Sequence, residues 1–286
     1  MMAVLLEPFG YGYMVTAIWV SALVGGLCAF LSVFLMLKGW SLIGDALSHA
    51  IVPGVAGAYM LGLPFALGAF FSGGLAALAI LGLGATTRLR QDVVIGVVFT
   101  GFFSLGLFMI SLRPVAVDVQ TIMLGNILAI TPADTLQVVL IGVTSLVVLG
   151  LRWRDIVAVF FDEAHAHTVG LRPARVKALF FALLAAATVA ALQTVGAFLV
   201  IAMVITPGVT AYLLADRFPR LIAIAVAIGA GCSAAGAYAS FFLDGATGGL
   251  IITLMTAIFL AAFVFAPHHG LVAARARGRA ALREDG

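Results

Sequence analysis

The sequence predicts an all-α polytopic membrane protein with about nine transmembrane helices, eight being the other count it permits. Three observations carry this. Hydrophobic residues make up 64% of the 286 positions and charged residues only 9%, too little polar surface to cover a soluble globule of that length. Mean hydropathy is +1.22. The few charges, prolines and glycines fall between apolar stretches of about 20 residues, the length that crosses a hydrocarbon core.

The opening residues MMAVLLEPFGYGYM carry no basic n-region and no small-residue cleavage site, so the first apolar helix, 12–37, is expected to insert and stay. It stops at Lys38. The second span, 42–61, runs to the tight turn LGLP at 61–64. Pro64 opens the third, 64–84, which ends before Arg88 and Arg90. The fourth, 91–112, lies between Arg90 and Arg113. The stretch VDVQTIMLGNILAI at 117–130 reads as a loop or a short re-entrant helix. Pro132 then starts a span to residue 151, closed by Arg152 and Arg154. Four further elements remain: 174–193 after Pro173, 195–214 up to Asp216 and Arg217, 221–242 after Arg220, and 247–266 up to Pro267.

Of the 15 Lys and Arg residues, all but Arg113 fall on one side of this arrangement. The positive-inside rule makes that side cytoplasmic. Nine crossings then place the N-terminus outside and the basic C-terminal tail, 271–286, inside as a mobile extension of a single transmembrane domain, 1–270. Anionic lipid headgroups account for the net charge of +3, so no nucleic-acid partner is implied. Cys28 and Cys232, far apart in apolar runs, read as small buried hydrophobes rather than a disulfide.

Inside the second span, SLIGDALSHAIVPGVAGAYML holds Asp45 and His49 four residues apart. At that spacing the carboxylate and imidazole leave one helix face a turn apart and can converge on a single divalent cation. An ionisable group at bilayer depth costs about 2.5–3.5 kcal/mol on insertion scales, so the default reading is a substrate or ion path. The competing reading makes His49 a packing residue and Asp45 a partner of Lys38. Pro53, one turn further on and followed by Gly54, removes a backbone hydrogen bond and bends the helix, which reads as a packing kink or as a means of freeing carbonyls to face an ion. Ser48, Thr100, Gln193, Thr194 and Thr206 are mild polar residues expected to bond between helices or to carbonyls.

Two cytoplasmic segments read as partner contacts. RWRDIVAVFFDEAHAHTVGLRP, 152–173, joins two spans through an acidic cluster, with a Gly and a Pro ending its helix. ITPGVTAYLLADRFPR, 205–220, carries a span into what reads as a short amphipathic helix, of the kind that lies in a partner's groove. Asp162, Glu163, His165 and His167 form a secondary candidate metal cluster, for which solvated loop residues are the ordinary alternative. His268 and His269 read as headgroup-level residues. No GxxxxGK[ST] motif occurs, so an ATP motor would be another chain.

At KGWSLIGDALSHAIVPGVAGA, FFDEAHAHTVGLRP and VGAFLVIAMVITPGVTAYLLADRFP the chain resembles the permease subunits of ABC-type divalent metal importers, the manganese, zinc and iron chelate uptake permeases. The likeness runs from about residue 8 to residue 270. LEPFGYGYM, KGWSLIGDALSH and LDGATGG match the manganese and iron branch best. The resemblance implies the ABC metal-importer permease fold, a second permease subunit, identical or not, two cytoplasmic ATPase subunits that hold ATP, and an extracytoplasmic metal-binding protein. By position it maps the membrane metal site to Asp45 and His49. ATPase coupling maps to Pro207, Gly208, Ala211, Tyr212, Asp216 and Arg217 in 205–220, with 155–172 as a second contact.

The cargo expected is manganese first, iron second and zinc third, with no covalently bound cofactor and no enzymatic chemistry in this chain. One Asp–His pair supplies two or three ligand atoms, short of the six or so that Mn²⁺ prefers; a second permease, backbone carbonyls or water must supply the rest. A hard carboxylate with one imidazole binds ions low in the Irving–Williams order moderately, which suits transit. An ion-coupled secondary metal transporter is the alternative; it would show further acidic residues in its spans and an internal repeat, and neither is found.

Overall fold

The computed structural model describes residues 6–112, 127–266 and 270–272. A 3-10 turn, Glu7–Gly10, precedes α1 (Gly12–Lys38), α2 (Ser41–Ala50), α3 (Val52–Leu61), α4 (Phe65–Thr86) and α5 (Gln91–Leu112). A short 3-10 turn, Ile127–Ala129, leads to α6 (Pro132–Phe161) and α7 (Glu163–Thr168). The chain ends through α8 (Pro173–Val195), α9 (Ala197–Leu214), α10 (Phe218–Leu243) and α11 (Thr247–Phe265). Arg113, residues 117–126 of the expected loop or re-entrant helix, His268, His269 and the tail from 273 lie outside the described residues.

Among the described residues seven helices are long and apolar enough to cross a membrane: α1, α4, α5, α6, α8, α10 and α11. The two remaining predicted spans take other forms. The expected 42–61 helix is broken into α2 and α3, ten residues each, with Ile51 between them. Pro53 is the physical reason: it has no N–H to offer the His49 carbonyl and its ring crowds that oxygen. The predicted LGLP turn follows, with Gly62 at φ 68° closing α3 and the Leu63 N–H reaching the Ala58 carbonyl at 2.8 Å. The other predicted span, 195–214, is α9, 18 residues with Pro207 inside it.

Two boundaries differ from expectation. α6 continues ten residues beyond the expected end at 151. Thr131 caps its start by accepting the Asp134 N–H at 3.1 Å, and its 30 residues extend about 45 Å, against a hydrocarbon core of about 30 Å. Arg152 and Asp155, paired at 2.9 Å, lie on the same continuous helix. Residues 205–214 likewise complete α9 rather than forming a separate amphipathic helix. Ala215–Arg217 then turn the chain, and Pro219 sits at the start of α10, where its missing N–H costs nothing.

The chain divides into two compact units, Leu37–Ile201 and the portions before and after it. In the central unit α2 packs against α5, α4 and α8, while α3 packs against α4 and α5. The α3–α4 crossing is backbone to backbone: a Cβ at Gly54 would strike the Gly68 carbonyl, and one at Gly68 would strike the Gly54 carbonyl. In the other unit α1 and α10 approach in the same way at Gly25 and Gly229. Its core includes Ala29, Val33, Ala211, Leu221 and Ala225.

Candidate metal site

α2 is a short rod whose buried residues are Ile43, Gly44, Ala46, Leu47, Ser48 and Ala50. Leu42, Asp45 and His49, spaced 3 and 4 apart, form its open line. Asp45 is 39% exposed and His49 18%. The spacing therefore does what a helix requires: both candidate side chains leave the same face, the least covered face of α2, where Asp45 is the more open and His49 is partly covered by α5.

The His49 Nε2 lies 3.4 Å from Asp45 Oδ1. Two ligands at about 2.2 Å from one ion, meeting at the roughly 90° of octahedral coordination, stand about 3.1 Å apart. The pair is thus within a few tenths of an ångström of a shared-cation spacing. Among the described residues the basic side chain within ion-pair distance of Asp45 is that of His49 and not Lys38. Ser48 is turned away, its hydroxyl donating to the Gly44 carbonyl at 2.7 Å. No third His, Cys, Asp or Glu joins the pair among the described residues, so this unit contributes two side chains to any ion.

Two aromatic residues orient the imidazole. Phe99 and Phe103, one turn apart on α5, stack nearly parallel and meet the His49 ring at 5.4 and 5.3 Å, close to perpendicular. Sequence reading missed them, because their approach to His49 depends on α5 lying beside α2. Their own spacing of four was the only available signal.

The secondary cluster is spread out. Asp162 caps α7, accepting the Ala164 and His165 N–H groups at 2.9 and 3.0 Å. Glu163 pairs with Lys177 of α8. His165 and His167 are exposed, and no three-ligand group forms there among the described residues. The six proposed coupling residues also divide. Pro207, Gly208 and Ala211 are buried, Ala211 at 0% exposure, and a Cβ on Gly208 would meet the Ser32 backbone. Tyr212, Asp216 and Arg217 are exposed at the end of α9 and in the following turn.

Known proteins resemble the chain along most of its length. It is 64% identical over 279 residues to the chelated iron transport system membrane protein YfeC of Yersinia pestis, covering 98% of this chain and 95% of that one. The manganese transport system membrane protein MntB of Synechocystis sp. is 45% identical over 275 residues, 96% of this chain and 90% of that one. Among solved structures, PsaBC from Streptococcus pneumoniae in complex with Fab superposes with a TM-score of 0.83 at 31% identity, covering 94% of this chain and 98% of that chain. Residues 10–266 match the model of the ABC 3 transport family, and with seven membrane-crossing helices among its described residues this chain is a multi-pass membrane protein belonging to that family.

Proposed function

We propose that this chain is the inner-membrane permease subunit of an ATP-powered, binding-protein-dependent importer that carries a divalent transition metal into the cytoplasm, manganese first, iron second and zinc third. The observation that carries the reading is the Asp45–His49 pair, 3.4 Å apart on the open face of α2. The names of the relatives, chelated iron and manganese transport, support the same cargo class.

In this reading the metal is substrate. Ionised Asp45 and the neutral Nε2 of His49 take it from an extracytoplasmic binding protein, while Phe99 and Phe103 hold the imidazole in register. Two ligands bind loosely enough to release. Water, the backbone near the Ile51 break or a second permease completes the shell. ATP acts on two separate subunits, which meet the permease at Tyr212, Asp216 and Arg217. Pro207, Gly208 and Ala211 hold that corner in place from inside, and Phe161 and Val169 supply exposed apolar surface in the second contact.

The test is radiolabelled manganese uptake in cells that lack other manganese importers, with permease levels in the membrane measured alongside. Asp45→Ala and His49→Ala should each abolish uptake at normal levels. Ser48→Ala should keep it within about twofold, since its hydroxyl serves the helix and not the ion. Wild-type uptake by both site variants would end the assignment. Competition by unlabelled iron and zinc in the same assay ranks the metals.

A further inference from the structure

α2 is held at its two ends by different devices, and the lower one is a residue with no ligand chemistry. Trp40 is its N-cap residue, follows Gly39 at φ 69° and is only 4% exposed. Its indole meets Phe160 at 5.3 Å and Phe181 at 5.4 Å, two side chains that are each 2% exposed. Its indole N–H donates to the side-chain carbonyl of Gln91, the first residue of α5. The same α5 carries Phe99 and Phe103, which meet His49. Nine residues at about 1.5 Å each set His49 about 13 Å along the axis from Trp40. From Gln91 the rise is about 12 Å to Phe99 and about 18 Å to Phe103, which bracket that height, so α2 is pinned to α5 at both ends in one register.

α2 is only ten residues long, preceded by Gly39 at φ 69° and followed by a one-residue interruption of the helix at Ile51, whose backbone stays in the right-handed helical region. In so short a helix the side-chain contacts at its start carry a large share of the orientation. Phe160, one of those contacts, stands two residues before Asp162, whose carboxylate caps α7. A cavity of about 720 Å³, lined by Trp40, Ile43, Gln91, Glu163, His167 and Lys177, opens between α7 and α2. The indole therefore packs the start of α2 against the last turn of α6, which leads into α7, at the edge of this cavity.

We propose that Trp40 is a positioning residue: through Gln91 it fixes the rotation of α2 and hence the aim of the Asp45–His49 pair, and through Phe160 it ties that aim to the last turn of α6, which leads into α7. The proposal rests on the metal-site reading above, and one experiment separates the two. Manganese uptake is measured as a function of manganese concentration in cells carrying the complete importer, per permease molecule in the membrane, for Trp40→Phe, Trp40→Ala, Gln91→Ala, the Trp40→Phe/Gln91→Ala double variant and His49→Ala.

Trp40→Phe keeps an aromatic ring between Phe160 and Phe181 and loses only the bond to Gln91, so KM should rise about two- to fivefold, the value of one hydrogen bond. Gln91→Ala should match it, and the double variant should be no worse than either single change, because both remove the same bond. Trp40→Ala should raise KM about tenfold or more. A purely structural tryptophan would lower the number of molecules in the membrane and leave KM unmoved. Wild-type KM in all the Trp40 and Gln91 variants, with His49→Ala inactive, overturns the positioning role and leaves the metal site standing. Normal uptake by His49→Ala overturns the metal site and this proposal together.

Discussion

Asp45 and His49 illustrate how much of a site a helix repeat can carry. Their spacing of four alone predicted a shared face, and the structure puts their polar atoms 3.4 Å apart. The rings that aim His49 were not legible. Phe99 and Phe103 lie about fifty residues on, and among 21 phenylalanines nothing local marks the two that reach it. The proposed coupling corner shows the same limit. Ala211 and Tyr212 are neighbours in sequence, yet one is buried and the other 48% exposed, a distinction set by where α9 packs. It decides which variant is informative. Ala211→Arg would force a charge into a core with Val33 and Leu221 and damage the fold before any partner is involved. Tyr212→Asp changes an exposed side chain, so metal binding should survive while uptake per ATP hydrolysed falls about tenfold or more. Purified complex in proteoliposomes reads both quantities, and an unchanged ratio would move the main ATPase contact to α7.

Helix boundaries follow from chemistry within a turn or two of each end, and interiors follow from neighbours. Pro53 announced a bend, and the helix is interrupted at Ile51, where the His49 carbonyl loses its normal donor while the backbone stays in the right-handed helical region. α6 ran past Arg152 and Arg154 because charges end a membrane span without ending a helix; Asp162 ends it, where the backbone turns extended to cap α7. Which glycines sit at close helix crossings depends on neighbours that the sequence does not mark. A Cβ on Gly25 would strike α10, and a Cβ on Gly73 would press on Ile51, while Gly74 and Gly249 face open space. The contrast gives a stability prediction. Gly54→Val should cost about 3 kcal/mol or more, because the obstacle is the Gly68 carbonyl and not a side chain that can swing away. Gly74→Ala should be neutral or slightly stabilising. Apparent melting temperatures of the detergent-purified permease compare them directly, and equal melting of Gly54→Val and wild type would show that the α3–α4 crossing is looser than described.

At the scale of the whole chain the open question is whether α2 and α3, ten residues each, cross the membrane as one interrupted span. Together they cover 41–61, about the 20 residues a crossing needs, and broken helices are tolerated at membrane depth where protein or an aqueous path surrounds the break. α4 alone joins Leu63 to Arg88 and sets them on opposite sides; if α2–α3 also crosses, Leu63 is outside and Arg88 inside. Both positions are exposed, Leu63 at 51%. The native thiols are quiet controls, Cys28 being 0% and Cys232 4% exposed. Leu63→Cys should react with a membrane-impermeant maleimide in intact spheroplasts, whereas Arg88→Cys and Val169→Cys should react only after lysis. That pattern fixes an odd number of crossings before Val169, with the N-terminus outside and the Arg88 and Val169 loops inside, as the charge distribution requires. Labelling of Leu63→Cys only after lysis would instead make α2–α3 a re-entrant pair that opens and closes on the cytoplasmic side, and Asp45 and His49 would then bind metal from the cytoplasm and not from a delivering protein.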